Sequence, residues 1–116
     1  MKLSEAIRAG AKLRPQCFGG LFANGGSCAL GAAFEAVFGD SRYIGIFDRL
    51  QKEFPMLSDN FGYSIASMND DLRLTREQIA DWVEQQEKKL QREPDESYTK
   101  RVLAEIQEGA KELAYG

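Results

Sequence analysis

The segment 28–38 constrains the fold more than any other part of this chain, because it is apolar nearly all the way round. Its only charged residue is Glu35, and small side chains separate the larger ones. Ser27 is placed to cap the first amides of a helix here, and Gly39 provides a stop at its C-terminal end. A helix without a polar face is surrounded by protein. The segment therefore predicts a central, buried helix over 28–38.

Four other segments carry apolar residues at the spacing of an amphipathic helix, and they are 3–13, 41–54, 75–90 and 97–114. Ser4 is the expected N-cap of the helix 3–13, and Thr75 caps the helix 75–90, where Gln78 completes a reciprocal capping box. Together with 28–38 these segments predict a mainly α-helical fold, a compact bundle of about five helices around the central helix. We expect one domain over 1–116, with a core over 1–90 and a last helix within 95–116.

Two segments show no helical period. The first, 16–27, is glycine-rich, and its Asn24-Gly25 pair suits the positive φ angles of a tight turn. It is either a loop or a small β-hairpin near 17–28. The second, 56–73, is broken by Gly62 and by runs of Ser, Asn and Asp. We expect a loop there, with at most one helical turn near Ile65.

Histidine is absent from the chain. Without an imidazole there is no Cys-His or Ser-His nucleophile pair, no histidine general base and none of the usual catalytic zinc sites. Carboxylate-only hydrolysis, a lone reactive cysteine and carboxylate-bound magnesium stay open. The sequence thus favours a protein that is not an enzyme, with no cofactor and no metal site.

Charge and cysteine content narrow the class of partner and the compartment. The formal net charge of −3 is too small to indicate a nucleic-acid partner. A nucleic-acid surface built from the basic residues near the N-terminus is our last-ranked hypothesis: Lys2, Arg8, Lys12 and Arg14. No segment has the apolar length of a signal peptide or a membrane span. Cys17 and Cys28 are expected as reduced thiols, so the sequence predicts a cytoplasmic protein without a membrane partner.

The first candidate site is the turn that leads into the central helix, Gly25-Gly26-Ser27-Cys28. Amides at a helix N-terminus can hold a phosphate or a carboxylate, and the helix dipole would stabilise a Cys28 thiolate. Neither a Walker loop nor a dinucleotide fingerprint is present. The alternative is a small buried cysteine that only packs at the start of a core helix.

The second candidate site is the polar run Asn69-Asp70-Asp71. Adjacent carboxylates can bind a hard cation or act as an acid and base pair. The alternative is that these side chains make turn and capping hydrogen bonds before the next helix. The third candidate is an apolar recognition patch, and its alternative is that the same aromatic side chains belong to the core: Phe18, Phe22, Phe61 and Tyr63.

Four blocks in this order resemble a group of small bacterial and bacteriophage proteins that carries no assigned activity. The blocks are 3–8, Gly26-Ser27-Cys28-Ala29-Leu30-Gly31-Ala32-Ala33, Met68-Asn69-Asp70 and 75–84. The resemblance covers about residues 1–87, and the segment from Lys88 looks like an addition. The resemblance implies a prokaryotic or phage source. The shared blocks mark either a common surface where Cys28, Asn69 and Asp70 meet or a common fold signature.

These observations lead to two hypotheses from different classes. The leading one is a non-enzymatic interaction or regulatory protein that binds and modulates a host protein. Its charge-rich last helix suits either display on a surface or self-association, and self-association would make the protein a homodimer. The rival is binding or turnover of a small molecule or nucleotide, at the glycine turn and Cys28 with Asp70 or Asp71 nearby. The rival requires a thiol that is exposed and titrates below its ordinary pKa.

Overall fold

The computed structural model describes residues 1–39, 45–58 and 60–92. Of residues 91 and 92 it describes the backbone alone. Its elements are α1 (Leu3–Ala11), β1 (Phe22–Ala23), β2 (Gly26–Ser27), α2 (Ala29–Phe38), α3 (Ile46–Glu53), a 3₁₀ turn (Pro55–Leu57), α4 (Phe61–Asp70) and α5 (Arg76–Arg92). The predicted mainly α-helical class is confirmed. None of the helices in this part of the chain has both the length and the apolar character needed to cross a membrane.

By its internal contacts the chain divides into two units, Met1–Glu84 and Gln85–Gly116. The first unit holds the core and every site discussed below. Of the second unit, the structure describes only the end of α5. The last predicted helix, 97–114, lies outside the described residues, and one domain over 1–116 stays a prediction.

The central position predicted for the apolar helix is confirmed. Helix α2 contacts α1, α3 and α4, and Phe34 in its middle is fully buried. Helix α1 crosses it so closely that a Cβ at Gly10 would overlap the Ala32 carbonyl oxygen. Small residues at the crossing therefore decide how near the two backbones lie.

Two of the N-cap predictions are wrong, and one is confirmed. Cys28 caps α2, with its Sγ accepting a hydrogen bond from the Gly31 amide, while Ser27 lies one residue earlier in β2. Ser4 is buried inside α1, whose N-cap is Lys2 without a side-chain bond. Hairpin pairing and core packing place both serines inward. The capping box at the start of α5 forms as predicted. The Thr75 amide donates to Gln78 Oε1 at 2.9 Å, and the Gln78 amide donates to Thr75 Oγ1 at 3.1 Å.

The glycine-rich segment forms the small hairpin, which was one of the two predicted alternatives. Phe22 pairs with Ser27 and Ala23 with Gly26 in an antiparallel register. The two turn residues, Asn24 and Gly25, have φ angles of 51° and 79°. Both values are positive, as a two-residue hairpin turn that matches the strand twist requires. The local sequence signal therefore located the turn, and the structure decides between the two alternatives.

The prediction of a loop over 56–73 is wrong, because α4 occupies Phe61–Asp70. Its buried residues are Gly62, Ile65, Met68 and Asn69, which recur at helical spacing. Two of these four are a glycine and an asparagine, so apolar periodicity did not reveal the helix. Burial against the rest of the fold, rather than intrinsic propensity, stabilises this segment as a helix.

The other predicted helices differ from the structure mainly at their ends. Helix α1 ends at Ala11, so Leu13 lies beyond it and is exposed. Helix α3 begins at Ile46, because Gly45 is left-handed with φ of 78°. The predicted start of that helix at 41–44 lies outside the described residues. Helix α5 begins at Arg76 and continues past the predicted end at 90 to Arg92.

Candidate functional site

Asn69, in the last turn of α4, is the polar centre of the first unit. Its side chain is fully buried. Its Oδ1 accepts hydrogen bonds from Gln16 Nε2 at 2.9 Å and from the Ala29 amide at 3.2 Å. Its Nδ2 donates to the Cys17 carbonyl at 2.9 Å and to Asp70 Oδ1 at 2.8 Å. These four bonds use the whole capacity of a side-chain amide, so Asn69 ties three segments together.

The sequence predicted that amides at the N-terminus of α2 could bind an anion, but in the structure these amides bond to other protein groups. The Ala29 amide bonds to Asn69 Oδ1, and the Gly31 amide bonds to Cys28 Sγ. Ser27 is buried, and its Oγ accepts from the Arg76 guanidinium at 2.9 Å. These internal bonds satisfy donors that would otherwise be free to hold a phosphate.

The two cysteines are free thiols and both are buried. Burial raises the pKa of the Cys28 thiol above its ordinary value, although the Gly31 and Leu30 amides act in the opposite direction. The expectation that the helix dipole lowers this pKa is therefore wrong, because desolvation of the thiolate outweighs the dipole. Cys17 Sγ lies 3.4 Å from the Gly20 carbonyl oxygen, as a weak donor.

An open cavity of about 350 Å³ lies beside the start of α2. Its walls are the loop 19–21, Cys28 and Leu30 at the start of α2, Phe47 of α3, and one face of α4: Gly62, Tyr63, Ala66 and Asp70. Most of this lining is apolar. Cys28 and Asp70, two of the predicted site residues, thus meet at one cavity, whereas Gly25, Gly26, Ser27 and Asn69 are not part of its walls. Gly26 borders a second cavity, of about 270 Å³, together with Cys17 and Phe18.

Two of the cavity residues that the sequence analysis did not single out, Gly62 and Phe47, depend on each other. A Cβ at Gly62 would lie 2.6 Å from Cζ of Phe47, so the glycine gives this ring room beside α4. Phe47 had been assigned only to the apolar stripe of its helix, and Gly62 to a loop. Since their contact joins two helices through tertiary packing, no local pattern could have revealed it.

Among the described residues of the cavity wall, Asp70 is the only charged one. Its Oδ1 accepts from the Gly19 amide at 2.9 Å, in addition to Asn69 Nδ2. Asp71 follows it and accepts from the Ser67 hydroxyl at 3.1 Å. Both carboxylates lie at the C-terminal end of α4, which is the negative end of the helix dipole. This edge of the cavity is therefore negative, and it carries no ion pair among the described residues.

The structure divides the predicted aromatic patch. Tyr63 is 78% exposed, and Phe18 is 39% exposed with the Arg73 guanidinium 4.6 Å from its ring centre. Phe22 packs against the core, and Phe61 lies 5.7 Å from the Trp82 ring. Phe47, which is 37% exposed, joins Tyr63 at the rim of the cavity.

The basic N-terminal residues are in part neutralised within the fold. Arg8 forms ion pairs with three carboxylates of α5, those of Glu77, Asp81 and Glu84, at 2.6 to 2.9 Å. Arg14 pairs with Glu35 at 2.9 Å. These pairs lower the positive potential that a nucleic-acid phosphate would meet.

Across residues 1–39, 45–58 and 60–92, no group of three or more Cys, Asp or Glu side chains is arranged to hold a metal ion. Comparison of the chain with protein-family models, with curated proteins and with solved structures gives no match. The case for a site thus depends on the geometry of the cavity and of its rim.

Proposed function

We propose that this chain is a non-enzymatic interaction protein, and that the cavity receives a side chain of a partner protein. The observation that carries the proposal is an apolar cavity whose rim exposes two aromatic rings, those of Tyr63 and Phe47. Aromatic side chains around a concave apolar surface are typical of the residues that contribute most to protein binding. A further part of the proposal is that the partner is a host protein whose activity the chain modulates.

The chemistry of the residues around the cavity supports binding over catalysis. The chain has no histidine, and the raised pKa of Cys28 keeps its sulfur in the weakly nucleophilic thiol form. Asn69 has no free donor or acceptor left for a substrate. Asp70 is the one charged group among the described wall residues, which suits recognition better than a two-residue acid and base mechanism.

The test is a pair of phenylalanine substitutions on one helix. Ala66→Phe places a large ring in the cavity, whereas Ser64→Phe places the same ring on an exposed position of α4 outside it. Tagged wild-type and variant proteins are used to purify partners from a bacterial lysate, which are identified by mass spectrometry. We expect a partner that co-purifies with wild type and Ser64→Phe and is lost with Ala66→Phe. Equal recovery with all three would contradict the proposal, provided that each variant keeps its thermal unfolding midpoint.

A second candidate function is binding of a small molecule in the same cavity. It is favoured by the meeting of Cys28 and Asp70 there and by a volume within the range of roughly 300–1,000 Å³ for ligand sites. A nucleotide suits the cavity poorly, because its phosphates would face the Asp70 carboxylate. A thermal-shift screen of metabolites with wild type and Ala66→Phe tests this candidate. A compound that stabilises only wild type would favour it over a partner protein.

The source, the place of action and the oligomeric state complete the proposal. A bacterial or phage source is supported by the resemblance of residues 1–87 to small proteins from those sources. Action in the reducing cytoplasm is supported by the two free thiols. A homodimer through the segment 95–116 is supported by the apolar spacing of that segment. Light scattering of the full chain and of a chain ending at residue 94 measures the oligomeric state. A monomeric mass for both proteins would exclude the dimer.

A further inference from the structure

The charge of the cavity wall restricts the chemistry of what enters it. Of the ten wall residues that the structure describes, nine are uncharged, and the tenth is Asp70. Asp70 forms no ion pair with any residue that the structure describes. The guanidinium nearest along the chain, that of Arg73, lies over the Phe18 ring. The wall therefore combines an apolar surface with one negative charge that no cation of the described chain neutralises.

The position of Asp70 makes that charge stronger than a lone surface carboxylate. Helix α4 ends at Asp70, where the helix dipole places partial negative charge, and the Asp71 carboxylate follows directly. Acidic residues at a helix C-terminus oppose the dipole, so they reduce stability there instead of adding to it. A cation arriving from outside would be attracted by all three contributions.

The rim provides surfaces that accept a cation with an apolar stem. The Tyr63 and Phe47 rings lie in the cavity wall and are open to solvent, and the face of an aromatic ring attracts a guanidinium or an ammonium. Lysine and arginine bury their methylene stems against apolar surface while the charged head stays at the edge. The cavity offers each part of such a side chain a matching surface.

We propose that the group received by this cavity is a lysine or arginine side chain of the partner protein, with its stem against the apolar wall and its cationic head on the Asp70 carboxylate. This inference rests on the proposed function, since it names the chemistry of the partner at the same site. It assigns Asp70 the role of selecting basic residues, while the apolar wall supplies the larger part of the contact area.

The experiment is selection of a random-peptide phage library on the immobilised full chain. We expect the recovered peptides to share a Lys or Arg next to an apolar residue. One such peptide is then titrated by fluorescence polarisation against wild type, Asp70→Asn and Asp71→Asn. An asparagine oxygen still accepts the Gly19 and Asn69 bonds, so Asp70→Asn should fold. Asp70→Asn should weaken binding about tenfold and flatten its salt dependence, and Asp71→Asn should change it less.

A matched change in the peptide completes a double-mutant cycle between Asp70 and the basic residue of the peptide. Replacing its basic residue by norleucine removes the charge and keeps an apolar stem. This peptide should bind wild type about tenfold more weakly and should bind wild type and Asp70→Asn equally. Recovered peptides without a basic residue, or an equal loss with Asp70→Asn and Asp71→Asn, would overturn the inference and leave the proposed function standing. Peptides that bind Ala66→Phe as well as wild type, or a library that yields none, would overturn both.

Discussion

Replacing Asn69 with aspartate changes one atom at the polar centre of the fold. The new side chain has the same shape, and its Oδ1 still accepts from Gln16 and from the Ala29 amide. The amide nitrogen becomes an oxygen, however, and it faces the Cys17 carbonyl at 2.9 Å and Asp70 Oδ1 at 2.8 Å. Two hydrogen bonds are thereby replaced by two contacts between oxygen atoms.

The size of the effect follows from those contacts. Leaving the buried Cys17 carbonyl without its donor costs about 1–3 kcal/mol. Placing a buried carboxylate against the Asp70 carboxylate adds a comparable penalty, so we expect a total loss of about 3–5 kcal/mol at neutral pH. Since small domains have unfolding free energies of about 5–15 kcal/mol, this variant should be only marginally stable.

The loss should depend on pH, with a sign set by the surroundings of the new carboxyl group. Burial and the neighbouring Asp70 both disfavour its ionised form, so its pKa in the folded protein lies above the unfolded value of about 3.9. The folded state then binds a proton more tightly than the unfolded state. Relative stability is lost as pH rises through the raised pKa and recovers as pH falls below it.

Urea denaturation at pH 7 and at pH 5 measures the free energy of unfolding of wild type, of Asn69→Asp and of a control variant, Asn24→Asp. Asn24 is exposed in the hairpin turn, so its variant should stay within about 0.5 kcal/mol of wild type at both values. The gap between Asn69→Asp and wild type should narrow at pH 5. An Asn69→Asp protein as stable as wild type, or a gap that is equal at both pH values, would refute the four-bond account of Asn69.

Three other predictions concern the core. Arg76→Met removes donors from the Ser27 carbonyl and hydroxyl, from the Ala11 carbonyl at the end of α1 and from the Arg14 carbonyl beyond it. Urea denaturation should therefore show a loss of about 2–4 kcal/mol. At Gly31 a Cβ would already overlap the Leu21 carbonyl oxygen, and Gly31→Leu should cost at least about 1–3 kcal/mol; an unchanged thermal midpoint would contradict this. Because burial raises the pKa of Cys28, its thiol should resist a thiol reagent until the protein unfolds, and stability should fall as pH rises above about 8.5, a slope that Cys28→Ala removes.

The candidate site was predicted only in part from the sequence. Cys28 and Asp70 were singled out by their residue types, and the structure places both in one cavity wall. Asn69 was singled out as well, but as a ligand-binding residue, whereas its four bonds are internal. Phe47 and Gly62 were not identified, because what makes them part of the site is a contact between two helices that are separate in sequence.

The sequence alone determined those features whose causes lie within a few neighbouring residues. The apolar circumference of 28–38, the positive-φ turn at Asn24-Gly25 and the capping box of Thr75 and Gln78 are of this kind. Each depends on bonds or periodicity along a short stretch of chain.

The tertiary structure alone decided the features whose partners are far apart in the chain. Asn69 is bonded to residues 40 to 53 positions away, and those bonds link the last turn of α4 to the N-terminus of α2. Burial of Gly62 and Asn69 likewise made a helix of a segment with weak local preference. The cavity exists because loop 19–21, α2, α3 and α4 pack around it, and no single segment encodes that arrangement.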